Sequence, residues 1–180
     1  VLLATSLATV PVAGPIAENA DPDSSATRSS AYRLSYQIPN GWASDHELAR
    51  KRELTALLMP TGKTYRDAEA MILIAFEGKH RNRPSPQTLE QYFYSEMGML
   101  LRMFPEMTSI EWRPDSLDEI EVEVEVASIE VYVARRGPMR LVMMDVGDGY
   151  YSISLGVKEH RLFDRDDIKD FFSSLELLPL

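Results

Sequence analysis

The sequence predicts an α+β protein, an α/β/α sandwich whose central, mainly antiparallel sheet carries helices on both faces. Three observations predict it. Residues Ile120 to Val157 form a run of strand-type sequence with two clear turn signals, Gly137-Pro138 and Gly147-Asp148-Gly149. Within that run, Met139 to Val146 is apolar in both phases, Leu141 and Met143 alternating with Val142 and Met144, and such a strand needs cover on each face. One segment before the run and one after it place apolar residues at helical spacing, and these supply the cover.

Val1 to Ala13 is apolar and rich in small residues, shorter than a membrane span and broken by Pro11. It reads as a remnant of a secretory signal peptide, so the protein is expected to be exported to a periplasm, the exterior or a lumen. Gly14 to Ala31 is dominated by Asp, Ser, Ala and Pro and reads as a disordered linker. The folded domain is expected over residues 32–180. Tyr32, Leu34, Tyr36 and Ile38 alternate with polar residues as a first strand that stops at Pro39-Asn40-Gly41, where Gly41 takes positive φ and Trp42 folds back as a core anchor. Arg52 to Met59 and Ala70 to Phe76 read as strands joined by a polar loop.

Lys79-His80-Arg81-Asn82-Arg83 is a basic loop leading to a helix. Ser85-Pro86 offers an N-cap followed by a proline at the first helical position, with Thr88 and Gln91 as an alternative capping pair. Leu89, Phe93, Met97, Leu100 and Phe104 make one stripe on this helix, which stops before Pro105. Thr108 to Arg113 reads as a short strand.

In the central run, Ile120, Val122, Val124 and Val126 alternate with Glu119, Glu121, Glu123 and Glu125. Beyond Ala127-Ser128 the apolar phase flips to Ile129, Val131 and Val133, and a bulge at this dipeptide would keep one face inward. The chain then returns through Met139 to Val146, turns at Asp148-Gly149 and runs on through Tyr151, Ile153, Leu155 and Val157. A last helix begins near Asp164, with Asp166 and Asp167 in its first turn and Ile168, Phe171, Phe172 and Leu175 along its buried stripe.

A net charge of −9 argues against a nucleic-acid backbone as partner. The absence of cysteine removes disulfides, thiolate metal sites and Cys nucleophiles. Gly62-Lys63-Thr64 lacks the earlier glycine of a phosphate loop, since Leu57 stands there, and reads as a turn. Asp145 to Gly149 has glycines where a calcium loop needs ligands and reads as a hairpin. His46, His80 and His160 lie in unrelated segments without metal-ligand spacing, and no Gly-x-Ser-x-Gly elbow marks a hydrolase. No catalytic, cofactor-binding or metal residues are therefore assigned, and no cofactor is expected.

At Tyr36-Gln37-Ile38-Pro39-Asn40-Gly41-Trp42, in the helix after Ser85-Pro86, in Gly149-Tyr150-Tyr151-Ser152-Ile153 and in the closing helix with Phe171-Phe172, the chain resembles the PsbP/Mog1-like family. That family consists of α/β/α sandwiches, among them exported bacterial proteins, thylakoid-lumen accessory proteins and a Ran-binding protein. The resemblance implies a non-catalytic accessory or assembly protein that binds another protein, with no shared active site. It departs from the bacterial lipoprotein subset in having no lipobox cysteine.

Two charged stretches are candidate docking surfaces for a protein partner: Arg81 and Arg83 in the basic loop, and Glu121 and Glu123 on the acidic face. The acidic face also reads as a weak divalent-cation site and the basic loop as a site for an anion, and each reads as an ordinary solvated surface too, the acidic one guarding a sheet edge. The alternative function is small-molecule or lipid binding in a cavity lined by aromatic residues and by Met97, Met99, Met103, Met107, Met139, Met143 and Met144, although their spacing puts most of these in the core. A hydrolase with an unrecognised site is a third reading, which a pocket joining a histidine, a carboxylate and a hydroxyl would promote.

Overall fold

The computed structural model describes residues 31–79, 85–105, 107, 124–133 and 137–180. In chain order the elements are β1 (Tyr32–Ser35), β2 (Trp42–Ser44), α1 (His46–Lys51), β3 (Ala56–Pro60), β4 (Ala70–Gly78), α2 (Leu89–Met103), β5 (Val126–Val133), β6 (Gly137–Asp145), β7 (Gly149–Val157), a 3-10 turn (His160–Asp164), α3 (Asp166–Ser173) and β8 (Glu176–Pro179). Strands β2-β3-β4-β7-β6-β5 form a six-stranded sheet in that order, antiparallel throughout. The expected sandwich is thus the observed fold.

The strands at the centre are apolar in both phases because each phase meets a different helix. Ile72 and Ile74 of β4, Ile153 and Leu155 of β7, and Val142 and Met144 of β6 pack against Ile168, Phe171 and Phe172 of α3. On the opposite face, Leu141 and Met143 of β6 and Tyr150 of β7 meet Leu89, Tyr92, Phe93 and Met97 of α2. Leu57 and Met59 of β3 meet Ala49 of α1 in a separate cluster. Each such large apolar side chain, fully buried, contributes about 1.5–3 kcal/mol before entropy is charged against it. The two faces are therefore two cores sharing one sheet.

Several local expectations change. No bulge interrupts β5, whose pairing with β6 runs without a break from Val126↔Met144 to Val133↔Gly137. The phase flip has another cause: Val124 and Val126 pack against the α3-side core, whereas Ala127 and Ile129 join the α2-side one. Arg52 to Leu54 are not strand. Asp45 accepts the Leu48 N–H at 2.9 Å and caps a six-residue helix, and Glu53, at φ +57°, ends the turn that follows. Thr88, not Ser85, caps α2, its Oγ1 accepting the Gln91 N–H at 3.2 Å while the Gln91 side chain accepts from the Gln87 N–H at 2.9 Å. The first strand is shorter than its alternation suggests and lies outside the main sheet, paired with β8, a strand absent from the sequence reading.

The turns follow their residues. Gly41 has φ +77°, and the Trp42 N–H closes back on the Pro39 carbonyl at 3.0 Å. Between β6 and β7 it is Gly147, at φ +85°, that takes the left-handed position, and Asp145 Oδ1 accepts its N–H at 2.9 Å. Among the described residues no helix is long and apolar enough to cross a membrane.

Candidate functional site

Several ionisable groups on the described surface are used structurally. The Lys79 ammonium bonds both Asp145 carboxylate oxygens at 2.7 Å and lies 4.6 Å from the centre of the Tyr150 ring. Partial burial pulls the Lys79 pKa down, yet the Asp145 hydrogen bond and charge outweigh it and leave the amine above its ordinary value. Asp145, the first residue of the sequence resembling a calcium loop, is thereby occupied by a lysine and a turn N–H. Arg165 forks onto Asp167 at 3.0 and 2.6 Å, and Trp42 Nε1 donates to the same carboxylate at 2.8 Å. Thr64 and Lys63 sit in the turn after β3, where Asp67 accepts from the Thr64 hydroxyl at 2.7 Å.

The least used surface lies at the outer strand of the sheet. Position in the sheet decides this, since β5 pairs with β6 on one side and is the last strand in the order. The Asp145 N–H donates to the Glu125 carbonyl at 3.0 Å, which makes that pair a hydrogen-bonded one. Because such pairs alternate along an antiparallel ladder, Ala127, Ile129, Val131 and Val133 direct their backbone groups to β6, and Ser128, Glu130 and Tyr132 direct theirs away from it. Among the described residues nothing pairs with those outward groups. At the other end of the sheet β2 is only three residues long.

Beside the outer strand is an open pocket of about 350 Å³. Glu130, Val131, Tyr132 and Pro138 form one wall, and Lys158, Glu159 and His160 the other. Tyr132 is 69 % exposed, the most exposed aromatic ring among the described residues. Glu130 is fixed from two sides: Arg140 donates to its Oε1 through Nε at 3.0 Å and Nη2 at 2.6 Å, and His160 Nε2 lies 3.3 Å from its Oε2. Arg140 is itself held against aromatic rings, 5.0 Å from the centre of Phe163 and 5.8 Å from that of Phe172. This anchors the outer strand to the α3-side core through a charged relay, β5 to β6 to the turn before α3.

The pocket joins a histidine to a carboxylate, two parts of a nucleophilic triad. No serine or threonine hydroxyl bonds His160 among the described residues, and its ring stands edge-on to Phe163 with centroids 5.3 Å apart. Glu130 is committed to Arg140 as much as to the imidazole. Among the described residues the arrangement orders a strand edge.

Of the residues singled out in sequence, Arg81, Arg83, Glu121 and Glu123 lie outside the described residues, as do His80, the segment from Thr108 to Arg113, and Val1 to Ser30. Lys79 is bound in its ion pair. Met97, Met143 and Met144 are buried in the cores, as helix and strand spacing requires, and Met107 is buried beyond the end of α2, whereas Met99 and Met103 are exposed on α2. Sequence reasoning passes over Glu130, Tyr132 and Arg140, and weighs His160 only as a metal ligand. One signal is readable: Val126 to Val133 contains neither lysine nor proline, two usual guards of an exposed edge.

No protein-family model matches the chain, and no curated protein matches it in sequence. Solved structures do. The chain is similar to the solution structure of cyanobacterial PsbP (CyanoP) from Synechocystis sp. PCC 6803, with a TM-score of 0.56 at 12 % identity, over 97 % of this chain and 98 % of that one. The fold is therefore PsbP-like.

Proposed function

We propose that the chain is a non-catalytic, exported accessory protein that acts by binding another protein. The observation that carries this reading is the outer edge of β5, unpaired among the described residues and flanked by an exposed Tyr132 and an open pocket. The PsbP-like fold agrees with it, and the resemblance read in the sequence to the PsbP/Mog1-like family implies an accessory role without a shared active site. In sequence, Glu121 and Glu123 come directly before this strand, which makes a basic partner the natural match. Arg81 and Arg83 are the second candidate surface, for an acidic partner.

The test is photo-crosslinking in the native cell from a benzophenone residue at position 132. A discrete protein adduct is expected, weakened several-fold by combined Glu121→Lys and Glu123→Lys. Absence of any adduct above background, with no effect of charge reversal at either the acidic or the Arg81/Arg83 surface, would sink the proposal. Reporter fusion to the first residues tests the export reading separately, and a fusion retained in the cytoplasm would remove that part.

A further inference from the structure

We infer that the partner supplies an extended, basic segment that adds to the sheet as a new outermost strand along β5, with one apolar side chain seated in the pocket beside Tyr132. This rests on the protein-binding reading of the same edge and names the chemistry of what binds there.

The backbone argues for an extended segment. Ser128, Glu130 and Tyr132 present N–H and C=O groups away from β6 at every second residue, the spacing that a further strand satisfies. Edges that must stay single are blunted by charge, proline or shortness. The eight residues of β5 contain one charged side chain, Glu130, and the Arg140 guanidinium pairs with it. The opposite edge, three residues long, offers no comparable ladder.

The pocket sets the side chain. It opens against Glu130 and Tyr132, two of the outward-bonding residues, and its walls there are the Tyr132 ring, Val131 and Pro138. A residue of the added strand lying opposite this stretch can place an apolar side chain into the space. The charge argues for a basic sequence around it. Arg140, Arg161 and Arg165 are each paired with a carboxylate of this chain, and the Lys158 amine donates to the Asp67 carbonyl at 3.2 Å. Glu125, at the start of the outer strand, is exposed with no ion pair among the described residues, and the molecule as a whole carries −9. A cationic segment is drawn to such a surface and an acidic one is repelled.

The experiment selects displayed random peptides, about as long as β5, against the full immobilised chain. The best binder is then resynthesised as a series with one backbone nitrogen methylated at each position in turn. Methylation at alternate residues is expected to weaken binding about tenfold, with the intervening positions nearly silent. Selected peptides should be enriched in Lys and Arg, with one apolar residue at a fixed place, and should bind less well as salt is added. Ser128→Pro, which deletes an N–H facing away from β6, should weaken the same peptide comparably, and amide exchange should slow at Ser128, Glu130 and Tyr132 when peptide is bound.

Loss of binding without alternation, acidic selected peptides, or a library that yields no binder would overturn the inference. The methylation series is read on the unaltered protein and does not depend on how Ser128→Pro folds. A crosslinked native partner that binds folded Ser128→Pro at full strength would overturn strand addition and leave the protein-binding role standing; loss of both adduct and peptide would remove both.

Discussion

Two carboxylates show how opposite surroundings act on the same chemical group. Partial burial pushes the Asp167 carboxyl up, but hydrogen bonds from Arg165 and from Trp42 outweigh it and hold the pKa below the usual carboxylate range. A pKa lower in the folded state than in the unfolded one gives stability that is present above the unfolded value of about 3.9 and is lost as pH falls through the folded value. Trp42→Phe keeps most of the buried ring and removes one donor. Since water reaches this carboxylate, the expected cost is about 1–2 kcal/mol near neutral pH, with a shallower loss of stability on acidification. Urea titrations at neutral and acid pH measure both, and an unchanged acid slope would count against the account. Glu96 is the converse: burial first, then the charge of Glu77, pushes its carboxyl up. The folded state then holds the proton more tightly than the unfolded one. Its contribution is fully present below the ordinary carboxylate pKa of about 4.3 and is lost as pH rises through the raised value. Glu96→Gln is therefore expected to raise the melting temperature at neutral pH and flatten its dependence on pH, and a lowered neutral-pH melting temperature would reject this reading.

At the scale of elements, what could be read in the sequence was what local pattern alone determines. Leu141 to Met144 are apolar in both phases, and each phase does meet a different helix. The stripe through Leu89, Phe93 and Met97 is buried as spaced, though Tyr92, stacked on Tyr150 at 4.4 Å, escaped notice because its hydroxyl makes it look like a surface residue. Two elements were not legible. Helix α1 is six residues long with one buried side chain, too short for periodicity to announce it. Strand β8 reads Glu-Leu-Leu-Pro without alternation and exists because β1, far away in the chain, pairs with it. That the candidate edge is unpaired among the described residues depends on strand order, and locally its sequence shows no more than the absence of lysine and proline. Gly137 illustrates how tightly the neighbouring element is built: at φ +99°, a Cβ there would lie 2.2 Å from the Val157 carbonyl oxygen. Gly137→Ala combines a left-handed conformation with a backbone clash where β6 begins, and a loss of at least about 2 kcal/mol is expected. Thermal unfolding would show it, and wild-type stability would mean that β6 and β7 do not approach so closely.

At the scale of the molecule, the sheet is the shared wall of cores on its two faces, and that arrangement has a thermodynamic consequence. Phe93 under α2 and Phe172 under α3 lie on opposite faces, both essentially without solvent exposure. Either core alone would leave the other face of β6 and β7 bare, so neither half is expected to survive loss of its counterpart. Unfolding should then be a single cooperative transition, with calorimetric and van't Hoff enthalpies in agreement. Phe93→Ala and Phe172→Ala should each cost about 3–5 kcal/mol and lower the one melting temperature by roughly 10 °C. In a Trp112→Phe background Trp42 is the one remaining tryptophan and reports from one side, because it belongs to the α3-side core. Near-ultraviolet circular dichroism and calorimetry should therefore move together when Phe93, on the far side of the sheet, is truncated. If Phe93→Ala instead produced an early transition that left the aromatic signal of the α3 side intact, the two layers would be separable units, and an edge strand shared between them could not transmit partner binding to both.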